Sequence, residues 1–438
     1  MKVTFPKIVL ILLIIWIANS CSNPGTNDRT LQVSLAEIKI PDAPALNGFA
    51  HATAGGRWLV LGGRHDGLHD HRPERSYPPD SAAKYIWLID PESKQVWQKG
   101  LDSLPVNIRE QLQAVNAAFY QNENQLLIAG GYGWSQSRES YVTYPYLLVA
   151  DVEALASAII NKTDATPCFT QITDSMMAVA GGAMGMIGRN YILVFGQRFD
   201  GRYTTQPNRG HRQQYTHQIR RFALDADGYI RHTGAQTDTI HFHRRDYNLL
   251  PQIFPDGSMG YTAFGGVFQY DRNFPWLYPI DIMADTALAI TAFQQKFNNY
   301  HCACLPVYQQ SRQRMDNLFF GGMARYFPDE QSGEVIDDPL VPSINTIAQV
   351  TRLADGSLHE TLTDIKMPAL LGAGASFILA PDVPVIDHKI IDFDRLPPGR
   401  NLVGYIYGGL QSSHPNIFLR PLGTSISVNR VFEVYLEK

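Results

Sequence analysis

Leu126-Leu127-Ile128-Ala129-Gly130-Gly131 is an apolar strand stopped by two glycines, and the pattern returns along the chain. It recurs at Trp58–Gly63, Tyr261–Gly266, Leu318–Gly322 and Val403–Gly409, and at Tyr191–Gln197 with Gln197 in place of the second glycine. Four to six apolar residues bounded by turn signals are the material of buried strands. Paired glycines at a strand's end supply positive φ and let a neighbouring backbone come close.

Other elements keep a constant order around each copy. Upstream lies a strand with small residues, as in Gly48–Thr53, Ala114–Phe119, Gly182–Ile187 and Gly374–Leu379. Downstream come a long loop, a third strand and a hairpin. Hairpin turns are marked by Asp90-Pro91-Glu92, Asp225-Ala226-Asp227-Gly228 and Asp355-Gly356, where Asp and Gly carry the turn chemistry. Four antiparallel strands per unit and six units predict an all-β, six-bladed β-propeller over residues 31–438. The last unit ends at Val431–Leu436 with no room for a fourth strand, whereas 31–40 alternates like a strand with no unit of its own. The expectation is that 31–40 closes the ring as the outer strand of the last blade.

The apolar strand ending in Gly-Gly, followed by an aromatic residue, Asp90-Pro91-Glu92 and Trp97, resembles the kelch repeat. Trp97 falls one residue later than that repeat's spacing, and Phe169 and Tyr229 or Ile230 take the Trp position in the second and third copies. The resemblance implies a kelch-like propeller whose function lies in its loops.

Lys2 and Lys7 precede an apolar run, Ile8–Ile17, too short to span a membrane and suited to a secretory signal. The run ends in Ala18-Asn19-Ser20-Cys21, which resembles a bacterial lipoprotein signal with Cys21 as the lipidated residue. The expected organisation is a signal peptide over 1–20, a flexible tether over 21–30 and the propeller after it. That implies a cell-envelope protein, anchored through lipid alone, in the outer membrane. The chain of 438 residues carries 37 Lys and Arg against 41 Asp and Glu, so no basic footprint points to nucleic acid. Cys168, Cys302 and Cys304 remain once Cys21 is set aside, and they read as unpaired thiols.

In a four-stranded antiparallel unit, the loop after the Gly-Gly strand and the linker into the next unit emerge on one face. Polar residues crowd those segments: Arg64–Arg75, Arg198–Tyr203, Asn107–Gln111, His243–Asn248 and Tyr300-His301. Arginine offers a fork to carboxylate or phosphate, and Tyr132, Trp134, Tyr203 and Tyr247 offer flat faces to sugars. The candidate ligand-binding residues are Arg109, Arg202, Arg244, Arg245, Asp246, Tyr247 and His301. The His65-Asp66…His69-Asp70-His71 cluster reads as a solvated loop, so neither metal nor cofactor is expected. No nucleophile elbow, His-Glu-x-x-His motif or phosphate loop occurs at a telling place. The leading expectation is a non-catalytic binder of a glycan or a protein. The alternatives are an enzyme acting on an acidic sugar, with His or Glu as proton shuttle and an outline resemblance to six-bladed sialic acid mutarotases, and a scaffold of an envelope complex.

Overall fold

The computed structural model describes residues 30–69, 76–204, 210–387, 389–417 and 424–438. The expected signal peptide, Cys21, the expected tether up to residue 29, and residues 70–75 with Asp70 and His71 lie outside the described residues. The body is all-β and antiparallel in nearly every pairing. Five four-stranded sheets and one six-stranded sheet carry most of it.

The first sheet is Ala50–Ala54, Arg57–Leu61, Tyr85–Ile89 and Val96–Gly100, each strand paired with the next. The second is Ala118–Asn122, Gln125–Ala129, Tyr146–Asp151 and Phe169–Thr173. The third is Ala183–Ile187, Asn190–Val194, Gln218–Leu224 and Ile230–Thr237. The fourth, with short outer strands, is Asn248–Ile253, Met259–Phe264, Ile280–Ile282 and Ala287–Ala289. The fifth is Ala303–Gln309, Arg314–Met323, Ser343–Arg352 and Leu358–Lys366. The sixth is Ser376–Leu379, Arg400–Tyr407 and Val431–Glu437, completed by Val33–Ile38. Val33 to Ile38 pair in register with Leu436 to Val431, so the first described strand is the outer strand of the last described sheet.

The first strands of successive sheets lie against one another in chain order. Aromatic packing joins the sixth sheet to the first: Trp58 lies 5.0 Å from the Tyr405 ring, and Phe49 lies 5.4 Å from Tyr407. A chain of backbone hydrogen bonds links the sheets just ahead of these strands. Asn116 N–H donates to Gly48 O (3.1 Å), Gly181 to Asn116 (2.9 Å), Asp246 to Gly181 (2.7 Å), His301 to Asp246 (2.9 Å) and Gly374 to His301 (3.0 Å). Each residue leads into a different sheet. Gly48, Asn116, Gly181, Asp246 and Gly374 all have positive φ, between 54° and 70°. Gly, Asn and Asp adopt that conformation at least cost.

Two elements depart from the repeat. A helix, Val152–Asn161, sits between the third and fourth strands of the second sheet; the Asp151 carboxylate accepts from Ala154 N–H (2.8 Å) and starts it. Its Leu155 and Ile159 enter the core shared by the first two sheets. A hairpin, Val385–Ile386 with Ile390–Asp392, docks parallel to the inner strand of the fifth sheet through Val307 and Tyr308. Cys168, Cys302 and Cys304 are free thiols. The Cys302 and Cys304 sulfurs are 3.8 Å apart, well beyond the ~2.05 Å of a disulfide.

Candidate functional site

A cavity of about 220 Å³ opens where the linked segments converge, and the segments leading into all six sheets contribute to its wall. Asn116, Asp246, Tyr300 and His301 line it from the segments between sheets, and Arg64, His69 and Tyr77 from the long loop after the first Gly-Gly. A recess of about 30 Å³ shares Asn116, Asp246, Tyr300 and Tyr77 with the cavity and adds Arg245 and Tyr203.

The long loops of the first three sheets are tied to one another beside this cavity and its recess. Tyr141 Oη donates to Tyr77 O (2.6 Å), Ser76 Oγ to Tyr203 O (2.5 Å), and Tyr132 Oη to Gly201 O (2.8 Å). His69 meets Tyr77 in a stack (5.2 Å) and Tyr203 edge-on (4.4 Å). The sixth sheet's side is tied in by Asn47, whose Nδ2 donates to Asp66 O (2.9 Å) and Ser427 Oγ (2.7 Å).

Charges in the wall come as pairs. Arg64 is ion-paired with Asp66, with Nε donating at 2.7 Å, and its guanidinium lies 4.1 Å over the Tyr77 ring. Arg245 Nη1 donates to Asp246 Oδ2 (2.7 Å) and its Nε to Tyr215 Oη (3.1 Å). Asp246 Oδ1 accepts no hydrogen bond from a described residue and lies above Gly181, where a Cβ would come within 2.7 Å of it. Burial works against the charge on Arg245, yet Tyr215 and Asp246 outweigh it and hold the guanidinium protonated. Burial raises the hydroxyls of Tyr77, Tyr203 and Tyr300, so they stay neutral donors and acceptors. Burial also depresses His301 against the pull of Asp246, leaving a neutral imidazole at neutral pH. His51 is pushed down to about 3 by burial, then by Lys389 and His301. A fixed guanidinium, a carboxylate acceptor, neutral hydroxyls and an imidazole complement a ligand bearing hydroxyls and an acid.

The seven residues singled out from sequence part company here. Asp246 and His301 line the cavity, and Arg245 lines its recess. Tyr247 also reaches the wall, but its hydroxyl is committed, donating to Val194 O (2.5 Å) and accepting from Ala183 N–H (3.1 Å). Arg202 serves the loop clamp: its Nε donates to Ser76 O (3.2 Å). Arg109 lines a neighbouring cleft. Arg244 lines neither the cavity, its recess nor the cleft; it is fully buried between Trp276 and Tyr278 and donates to the carbonyls of His241, Gly265 and Tyr278. Its work is to fasten the linker into the fourth sheet.

Asn116, Tyr77 and Arg64 join the site without having been singled out. Arg64 follows Gly63 directly, so its place after the Gly-Gly strand was the available signal. Asn116 carried another: an Asn where sister copies have Gly48 or Gly181 marks a left-handed turn. Among the described residues, no group of three His, Cys, Asp or Glu is placed to hold a metal ion. His65 Nδ1 instead meets Ala45 O (2.9 Å), and Asp66 is taken by Arg64. No helix among the described residues is long and apolar enough to cross a membrane. No protein-family model and no curated protein matches this sequence.

Proposed function

We propose that the six sheets are blades of a closed, kelch-like propeller, lipid-anchored in the cell envelope, that binds a small acidic sugar in its central cavity without transforming it. The closed ring is supported by the run of backbone hydrogen bonds from Gly48 to Gly374 and by the pairing of Val33–Ile38 with the last strand. The anchor rests on the resemblance of the first 21 residues to a lipoprotein signal. The ligand class rests on one observation above all: Arg245, ion-paired with Asp246, lines a recess walled by Tyr77, Tyr132, Tyr203 and Tyr300. A concave cavity lined by polar side chains favours a small ligand over a folded protein or an assembly role.

A thermal-shift screen of the full-length chain against neutral and acidic monosaccharides tests the reading. An acidic sugar should raise the melting temperature, and Arg245→Lys, which loses the planar fork, should remove most of that shift. No shift with any sugar, or a shift untouched by Arg245→Lys, overturns it.

A second reading has its own support in His301, a neutral imidazole facing Asp246 inside the cavity, suited to moving a proton on a bound acidic sugar. Proton NMR of the bound sugar's anomers would distinguish it: accelerated exchange that His301→Gln abolishes means an enzyme, and unchanged exchange means a binder.

A further inference from the structure

A second cleft of about 190 Å³ adjoins the central cavity and shares Arg64, Tyr77 and Val115 with it. It runs between the long loop of the first sheet and the hairpin Tyr132–Ser135 with Ser140–Thr143. That hairpin is fixed to helix Val106–Leu112 by Glu110. The buried carboxylate accepts from Ser135 Oγ (2.8 Å), Ser137 N–H (2.8 Å) and Ser137 Oγ (2.9 Å). The anchoring presents Trp134 at the cleft wall, 36% exposed and edge-on to Tyr141 at 5.2 Å. Lys84 and Arg109 also line the cleft, together with Asp80, and neither cation is in a salt bridge among the described residues. This contrasts with Arg64 and Arg245, each of which already holds an aspartate.

We infer that the cleft is a second sugar subsite, so that the ligand is an acidic oligosaccharide of at least two units. One unit sits in the central cavity, and the next stacks on Trp134 with its acid group read by Arg109 and Lys84. This rests on the sugar-binding reading above and extends it. Size supports the extension: clefts that bury a ligand run from roughly 300 Å³ upward, and neither cavity reaches that alone, whereas the two joined do. Chemistry supports it as well. An exposed indole beside two unpaired cations is a stacking face with an acid receptor, the two features a glycuronate-type unit requires. Tyr77, under the Arg64 guanidinium at 4.1 Å, is the wall common to both units.

Calorimetric titration of the full-length chain with matched probes tests the inference: galacturonic acid against its α1,4-linked trimer, and glucuronic acid against a hyaluronan tetrasaccharide. For the acid that binds, the oligomer should bind at least tenfold tighter than the monosaccharide. Trp134→Ala and, as a milder second variant, Arg109→Gln should each pull that ratio toward one. Equal affinity for both lengths, or a ratio that survives both variants, overturns the second subsite while leaving the central site standing. Failure of every acidic sugar, short or long, instead removes the central-site reading, and the subsite falls with it.

Discussion

Arg245–Asp246 and Arg314–Asp316 are both buried ion pairs, yet they keep different company. Asp316, fully buried in the fifth sheet, accepts from Arg314 Nε (2.8 Å), Gln309 (2.7 Å), Gln349 (2.9 Å) and Thr351 (2.6 Å). Its acceptor capacity is used up within the sheet, and no member of the network lines the central cavity. Asp246, at the cavity wall, spends Oδ2 on Arg245 and leaves Oδ1 without a donor among the described residues. A saturated pair is a fastening, whereas a pair with capacity left over at a cavity wall is a receptor.

The coarsest way to break this comparison is to remove the frame on which both pairs rest. Deleting Leu31–Ile38 strips the outer strand from the sixth sheet, and a cooperative melting transition should disappear. An unchanged circular-dichroism melt would mean the strand is trim. Next in size is Asp316→Ala, which leaves a buried guanidinium without its counter-charge. It should cost ~3–5 kcal/mol in urea denaturation, and a loss under ~1 kcal/mol would deny the network its structural role.

A smaller change sharpens the pocket side. Gly181 has φ of 65°, and an added Cβ would meet Asp246 Oδ1 at 2.7 Å. Gly181→Ala should therefore cost ~1–2 kcal/mol from the left-handed backbone and weaken sugar binding by moving Asp246. Full affinity in this variant would place the receptor oxygen elsewhere.

A last test, outside the comparison, concerns a carboxylate in no salt bridge among the described residues. Glu360 accepts from Lys296 N–H (2.6 Å) and Phe297 N–H (3.0 Å), but burial pushes its carboxyl up to about 8 from 4.5. The folded state thus holds a proton that the unfolded chain releases, so this group's contribution to stability falls as pH rises from about 4.5 to about 8. Glu360→Gln should flatten that slope in melting curves taken at pH 5.5 and 8.5, and an unaltered slope would contradict it.

The strands were legible because each Gly-Gly ends a buried apolar run, and the pairing of 31–40 with the last sheet was legible because the last unit lacked a fourth strand. The strand read over 31–40 spans Val33–Ile38, a trim at its ends. The helix Val152–Asn161 was overlooked although Asp151 caps it and Leu155 and Ile159 share a face; the expectation of a short hairpin there hid the helical period. The hairpin of Val385–Ile386 with Ile390–Asp392 had too little periodicity to announce itself. Site residues were harder. Arg244 and Arg245 are adjacent and chemically identical, and only the backbone decides that one meets carbonyls inside the linker and the other meets the recess. Parity of that kind cannot be taken from residue type. Asn116 was legible in principle, since it takes the left-handed position that Gly48 and Gly181 take in sister units.

The central claim is tested most directly by measuring two quantities on two proteins: acidic-sugar affinity and melting temperature for Arg245→Lys and for Arg314→Lys. The account predicts a crossed result. Arg245→Lys should lose about tenfold or more in affinity (~1.4 kcal/mol) with its melting temperature nearly unchanged, and Arg314→Lys should melt several degrees lower with its affinity intact. Affinity retained in Arg245→Lys, or lost equally in both, would contradict it.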